Sequence, residues 1–439
     1  MSRPAMPPPR IARGAATLVV VMVLFFIVAL VAAYTSRNLI FEQRTSANQY
    51  RSTQAFEAAE AGLEWALTML NGGRIDTACA PHTDPDTVDE SFRLRYLNIA
   101  PDGVISIRLR AGGALPRQAA CVFDGAGWQC SCPTDAAPSL AAPEGAGPFP
   151  AFVLRFHDLT PEGAAYPAGV VRIESTGCTR LDDDAICTPT TASGDGRATV
   201  TIVAALKSAL ATPPSAALTV HGNLELAPGA TAVLRATNQN RDTAGITVHA
   251  GGEIVAPDET WLKALGAPGT PWDKTFAAQD DALFALDAGR MFGSVFGMGR
   301  DTYRLQPADV VVRCAQDCSA ATVRDLALLN PGRMLWIDGD FDFSIGDPIG
   351  SAALPVAMVV SGAVTVSHAS AQLQGLLYTT GETLTNIGTL TLAGALVAEG
   401  GLALAGNGTS NVGYDATVLD LLHRTSGSFV RIPGSWRDF

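Results

Sequence analysis

Ala15 to Tyr34 reads AATLVVVMVLFFIVALVAAY, twenty consecutive residues without a charge. As a helix this run rises about 30 Å, the thickness of a bilayer's hydrocarbon, so it is long and apolar enough to span a membrane. Arg3, Arg10 and Arg13 precede it without an acid, and the positive-inside bias then puts the N-terminus in the cytoplasm and the rest of the chain outside. A secretory signal peptide would have a shorter apolar region that ends at a small-residue cleavage site. Here helical periodicity continues instead. No proline occurs between Tyr34 and Pro81, and Phe56, Ala59, Leu63, Ala66, Leu67 and Leu70 recur at spacings of three and four. The spacing predicts one helix from Ala15 to about Leu70, transmembrane over 15–34 and amphipathic over 35–70, stopped by Asn71-Gly72-Gly73.

Past Gly73 the chain changes character. It has 439 residues in all, 47% of them apolar, which is more than one ordinary core requires. Only 16% are charged, against 43 Gly and 27 Pro, a mixture that favours turn-rich β architecture and excludes coiled coil beyond the N-terminus. A net charge of -12 lacks the phosphate-neutralising excess of a dedicated nucleic-acid binder, so no nucleic-acid partner is expected. Eight cysteines fit an oxidising compartment.

Residues 73–210 alternate. Phe92, Leu94 and Tyr96 read as one short strand, and Val104 to Leu109, Phe152 to Phe156, Val170 to Ile173 and Thr199 to Val203 as others. Pro133 to Pro150 reads as a surface loop. Cys178 and Cys187 flank the acidic stretch Arg180 to Asp184, and we favour a bridge between them. The partners of Cys79, Cys121, Cys130 and Cys132 cannot be read from spacing. Cys130-Ser131-Cys132 lacks the usual zinc spacer and a nearby histidine. Asp84, Asp86, Asp89 and Glu90 could hold calcium, but without the glycine and terminal glutamate of a calcium loop a solvated acidic segment is the simpler reading.

Residues 211–439 repeat. Met358, Leu377 and Leu396 keep one interval, and Gly362, Gly381 and Gly400 keep the same one. Short strands with glycine corners at that period suit a β-solenoid, in which each coil buries its alternate apolar residues by stacking on the next; an evenly turned β-sandwich is the alternative. Segments around Gly222 and Gly251 should join the stack. A helical insertion is expected at about 258–332, with helices over Phe276 to Gly297 and Ala320 to Leu329. Cys314 and Cys318, four apart, could bridge locally or remain buried thiols.

No active-site pattern emerges. Asp338, Asp340 and Asp342 would share one face of a strand, as a glycan-cleaving site requires, but an outward strand face with Phe341 and Phe343 turned in looks the same. His82, His157, His221, His249, His368 and His423 are scattered, and no serine elbow or phosphate loop occurs. We therefore assign no catalytic residue, cofactor or metal.

The residues of the N-terminal helix carry a resemblance. Arg13-Gly14 before the uncharged run, Glu42-Gln43-Arg44, and the stretch Gln54 to Glu64 (QAFEAAEAGLE) resemble the N-terminal region of PilX-type minor pilins of type IV pili. Phe429 to Phe439 and Arg333 to Asp340 resemble segments of long proteins of that type. The resemblance implies that a prepilin peptidase removes the leader 1–14 by cutting after Gly14, that Ala15 becomes N-methylated, and that the span is retained. It implies an inner-membrane, single-pass protein with a periplasmic body that passes into a pilus at the cell surface. Its partners would be other minor pilins and the major pilin, reached through helix residues Val19, Phe56, Ala59, Leu63, Leu67 and Leu70, and a large pilus-tip adhesin. Val19 departs from the pattern of major pilins, which carry a glutamate there. The fold expected is α+β: a long N-terminal helix, a pilin-like β-rich head, and a C-terminal β-solenoid-like domain with a helical insertion. The function expected is that of a low-copy subunit of an initiating or tip complex that promotes pilus assembly and attachment. A GspK-like pseudopilin of type II secretion, a tip adhesin module and a membrane-anchored polysaccharide-cleaving enzyme are the alternatives.

Overall fold

The computed structural model describes residues 14–113, 115–145, 149–159, 168–181, 186–188, 196–314 and 318–438. Residues 1–13, which include most of the expected leader, the acidic residues Asp182, Asp183 and Asp184, and Phe439 lie outside that set. Helix α1 spans Gly14–Leu70, 57 residues, or about 85 Å at the helical rise. Asn71 ends it. Its side-chain amide donates to Leu67 O at 2.9 Å and Gly72 N donates to Met69 O at 3.0 Å, which satisfies last-turn carbonyls.

The second half of α1 lies on a six-stranded antiparallel sheet. The strand order is Gly427–Arg431, Arg197–Ser208, Val170–Cys178, Ala151–His157, Ala119–Phe123 and Trp128–Ser131. Ala59, Leu63, Ala66 and Leu70 share a core with Phe152, Leu154, Phe156, Val171, Ile173 and Ile202. Helix and sheet come unusually close at Gly177, where a Cβ would lie 2.2 Å from Ala55 O and 2.4 Å from Ala59 N. Only glycine permits that contact.

Phe92–Tyr96 is not the strand that its alternation predicts but a short helix, α2. Helical spacing puts Phe92 and Tyr96 on one face, both buried, with ring centroids 4.6 Å apart. It also turns Arg93 and Arg95 into the interior, where backbone carbonyls receive them. Packing of the aromatic pair outweighs the period-two pattern.

Beyond Leu210 the chain winds a three-faced parallel β-solenoid. One face stacks Met334–Asp338, Val356–Val360, Gly375 to Thr379, Gly394 to Ala398, Leu218–Val220, Val248–Ala250 and Phe276–Ala277. The second stacks Phe341–Asp342, Val364–Val366, Thr383–Asn386, Leu402–Gly406 and Leu224–Leu226. The third stacks Ala371 to Gln374, Thr389 to Ala393, Thr409–Tyr414, Val233–Thr237 and Leu262–Leu265. Leu218, Leu335, Met358, Leu373, Leu377, Leu396 and Leu404 fill the common core. At the bend from the third face to the first, Gly375 and Gly394 have φ of +146° and +139°, and a Cβ on either would lie 1.9 Å from a carbonyl oxygen of the coil below. The fold there requires glycine.

Two features of this topology depart from chain order. Leu218 pairs with Leu396 and Leu224 with Leu402, so the coils of 218–277 stack beyond the last coil of the repeat. Gly427–Arg431 then returns to the head, with Gly427 opposite Ser208. The solenoid is therefore an insertion between two adjacent strands of the head, and the expected C-terminal unit 211–439 gives its last strand back.

The insertion expected at 258–332 is also smaller than predicted. Leu262–Leu265, Phe276–Ala277 and Asp309–Arg313 are strands that pair with solenoid neighbours. Helix α3, Asp281–Phe284, starts only after Asp280, whose carboxylate accepts from Ala282 N and Leu283 N. Helix α4, Ala288–Phe296, and α5, Arg300–Tyr303, come next. Helix α6, Ala320–Leu329, puts Ala320, Val323 and Ala327 over the open end of the solenoid core. Helix α7, Ala416–Thr425, joins α4 in covering the outer side of the first face, where Phe292, Phe296, Leu419 and Leu422 pack on Trp336, Val359, Leu376, Tyr378 and Val397.

All eight cysteines are paired: Cys79–Cys132, Cys121–Cys130, Cys178–Cys187 and Cys314–Cys318.

Candidate assembly interface

Every described side chain of α1 from Ala16 to Thr53 is exposed. This stretch includes Val19, 58% exposed, together with Leu24, Phe25, Phe26, Ile27 and Phe41. Burial begins at Ala55. Ala59 and Leu70 are fully buried, Leu63 nearly so, and Leu67 and Phe56 are half-buried. Phe56 meets Trp436 of the C-terminal tail edge-on at 6.2 Å. The six helix residues singled out from the sequence thus fall into two sets. Val19 belongs to the free apolar rod, and the other five dock that rod to the head. Gly14 and Ala15 are the first residues of α1.

Exposed apolar side chains on this scale are unstable in water, since each one buried elsewhere contributes about 1.5–3 kcal/mol. The rod needs lipid or other helices around it. Val19 leaves it without an acid in its first turns, so it enters an apolar surrounding without the several kcal/mol that an unpaired carboxylate costs there. Where the rod meets the head, a groove of about 580 Å³ opens between α1 and the paired strands Ala119–Phe123 and Trp128–Ser131, lined by Gln54, Ala58, Phe123, Trp128 and Phe149.

Two arginines that sequence reasoning missed hold this assembly together. Arg93, 1% exposed, donates to Leu70 O at 2.8 Å, Gly332 O at 3.1 Å and Gly427 O at 2.9 Å. One side chain so ties the end of α1 to the solenoid and to the returning strand. Burial, and secondarily the charge of Arg333, lowers its pKa to about 9, which leaves it protonated at neutral pH. Arg95, fully buried, donates to Ile75 O and, at 2.6 Å, to Cys132 O, fastening α2 to the head. Asn71 makes a link parallel to that of Arg93, accepting from Phe429 N at 2.8 Å and donating to Phe429 O at 2.9 Å. The signal in the sequence is Phe-Arg-Leu-Arg-Tyr, cations alternating with aromatics, but nothing local says that the cations face inward.

The three acids weighed as a glycan-cleaving set each carry a hydrogen bond within the fold. Gly339, at φ +143°, bends the chain between Asp338 and Asp340, so the three do not form one strand face. Asp338 accepts from Arg304 at 3.1 Å, Asp340 from Ala363 N at 2.8 Å, and Asp342 from Ser367 N at 3.0 Å and Ser367 Oγ at 2.7 Å. Each carboxylate pins a solenoid corner or cover helix. The histidines are likewise dispersed. His82 pairs with Asp89 at 2.7 Å and His249 with Asp280 at 2.8 Å; His157 lies 3.2 Å from Glu174 and, by hydrogen bonding, holds that carboxyl below its usual range. His221 contacts Leu286 O, His423 contacts Leu210 O, and His368 accepts from Ser370 N at 3.1 Å. Among the described residues no three His, Cys, Asp or Glu side chains gather as a metal site.

The long apolar helix is thus free in its first half and docked by its second half on an antiparallel sheet. Residues 13–64 match the PilX N-terminal family model, so the chain carries a PilX-type N-terminal region. Among solved structures, the competence-associated pilin ComZ from Thermus thermophilus aligns over 88% of this chain and 98% of its own at 11% identity. Its TM-score of 0.21 is too low to establish a shared arrangement. No curated protein matches the chain.

Proposed function

We propose that this chain is a non-enzymatic minor pilin of a type IV pilus, held at low copy in an initiating or tip complex that promotes pilus assembly and surface attachment. The observation that carries the reading is the α1 rod, exposed from Ala16 to Thr53 and apolar over its first half. In this reading a prepilin peptidase cuts after Gly14, Ala15 is methylated, and the rod passes from the inner membrane into a bundle of minor and major pilin helices. A large tip adhesin is a further partner. Low copy number agrees with Val19, which makes no charge contact to a neighbouring subunit's terminus, and with the solenoid, a mass far larger than helix packing needs.

The test is deletion of the gene, with surface filaments and secreted enzymes counted together. Loss of filaments with normal secretion supports the reading. Normal filaments with failed secretion would make the chain a type II secretion pseudopilin instead. Mass spectrometry of sheared filaments that finds the chain as abundant as the major pilin would overturn the low-copy assignment.

A further inference from the structure

The three faces of the solenoid differ in what they present to solvent. Helices α4 and α7 seal the first. The third is bare, and strand register aligns its outward residues in rows. Gln372, Thr391, Asn411, Arg235 and Lys263 are successive cross-strand partners. They form one row across five strands, roughly 19 Å long at the usual strand spacing. Their neighbours Leu373, Leu392, Val412, Leu234 and Leu262 point into the core. A second row, Gln374, Ala393, Gly413, Thr237 and Leu265, runs beside it, and its small central residues keep the floor low.

The first row ends in two cations placed side by side. Arg235 and Lys263 are direct cross-strand partners, both exposed. Like charges directly opposite one another destabilise a sheet. A chain with 42 acids and 30 Lys and Arg could easily have placed an acid at either position, so the fold gains nothing from the pair.

We propose that this face binds an extended acidic polysaccharide laid along the row, its carboxylates at Arg235 and Lys263 and its hydroxyls at Gln372, Thr391 and Asn411. The row offers evenly spaced amide and hydroxyl groups that both donate and accept, which suits a polymer of hydroxylated rings. A guanidinium takes a carboxylate through two parallel hydrogen bonds. Nucleic acid fits less well: neither row carries an aromatic ring on which bases could stack, and two cations neutralise little phosphate. The proposal deepens the attachment half of the function above and rests on the solenoid being outside the cell, but it makes no use of the α1 rod.

The test is binding of the full-length protein, in detergent micelles, to polygalacturonate, to neutral dextran and to duplex DNA. Retention on polygalacturonate, weakened by salt, and none on dextran are expected. The double substitution Arg235→Gln with Lys263→Gln should weaken binding about tenfold or more, without lowering the thermal midpoint. Arg290→Gln, on α4, should leave binding unchanged. No retention on polygalacturonate, retention unaffected by the double substitution, or tighter binding to DNA would each overturn the proposal. Filament counts in the double variant should stay normal, so that failure here and failure of the pilin reading remain distinguishable.

Discussion

Gly177→Ala tests how α1 is held on the head. The new methyl would sit 2.2 Å from Ala55 O and 2.4 Å from Ala59 N, both backbone atoms of a helix that cannot yield locally. Helix and strand must separate by about 1 Å along a seam that includes Ala59, Leu63 and Ala66, and overpacking of this kind costs about 1–3 kcal/mol. Replacing glycine also reduces unfolded-state entropy, a gain of about 0.4–1 kcal/mol, so a net loss of about 1–2 kcal/mol is expected. For a head of this size that lowers the melting midpoint by roughly 2–8 °C. Trp65 and Trp128, both packed on Phe152, report the transition by fluorescence. Gly127→Ala is the control, because no atom lies within 4 Å of the added methyl. A Gly177→Ala protein as stable as the control would refute the close helix–sheet contact.

Asp309 has a carboxylate without a hydrogen-bond partner, and burial raises its pKa to about 7 despite the charges of Arg304 and Arg333. The folded state therefore binds this proton more tightly than the unfolded chain, and its contribution to stability falls as pH rises from about 4 to 7. Asp309→Asn should flatten that part of the pH dependence and raise the midpoint at pH 8 relative to wild type, as thermal melts across pH would show. Removing Cys79–Cys132, which spans 53 residues, should cost about 1.5 kcal/mol more than removing Cys121–Cys130, which spans 9, if loop closure dominates; denaturant titration of the paired alanine variants measures the difference. Glu399, 7% exposed, accepts from Tyr378 Oη at 2.7 Å and pairs with Arg300. Glu399→Ala should destabilise the solenoid by about 1–3 kcal/mol, chiefly by leaving the buried Tyr378 hydroxyl without a partner, visible as an earlier solenoid transition.

Local periodicity made much of this fold legible. The uncharged run located the first half of α1 and three- and four-residue spacing the second, down to the buried Ala59, Leu63 and Leu70, and the equal glycine intervals located the coils. Gly362 and Gly381 do stack, a Cβ on Gly381 lying 2.4 Å from Gly362 O. What stayed hidden depends on contacts distant in sequence. The return of Gly427–Arg431 to Ser208 and the stacking of Leu218 on Leu396 leave no periodic trace. Phe92–Tyr96 misled because a five-residue run satisfies both periods, and only the carbonyls that receive Arg93 and Arg95 decide between them. The polar row on the third face was invisible for the same reason: its five members come from five strands and align only once register is known.

In the proposed function the apolar rod docks one subunit to others rather than merely tethering the body. Filament counts in a gene-deleted strain test it most directly, comparing the full chain with a chain whose residues 15–34 are replaced by an unrelated membrane-spanning helix of equal length. The first should restore surface filaments and the second, though inserted and folded, should not. Equal restoration by both would contradict it.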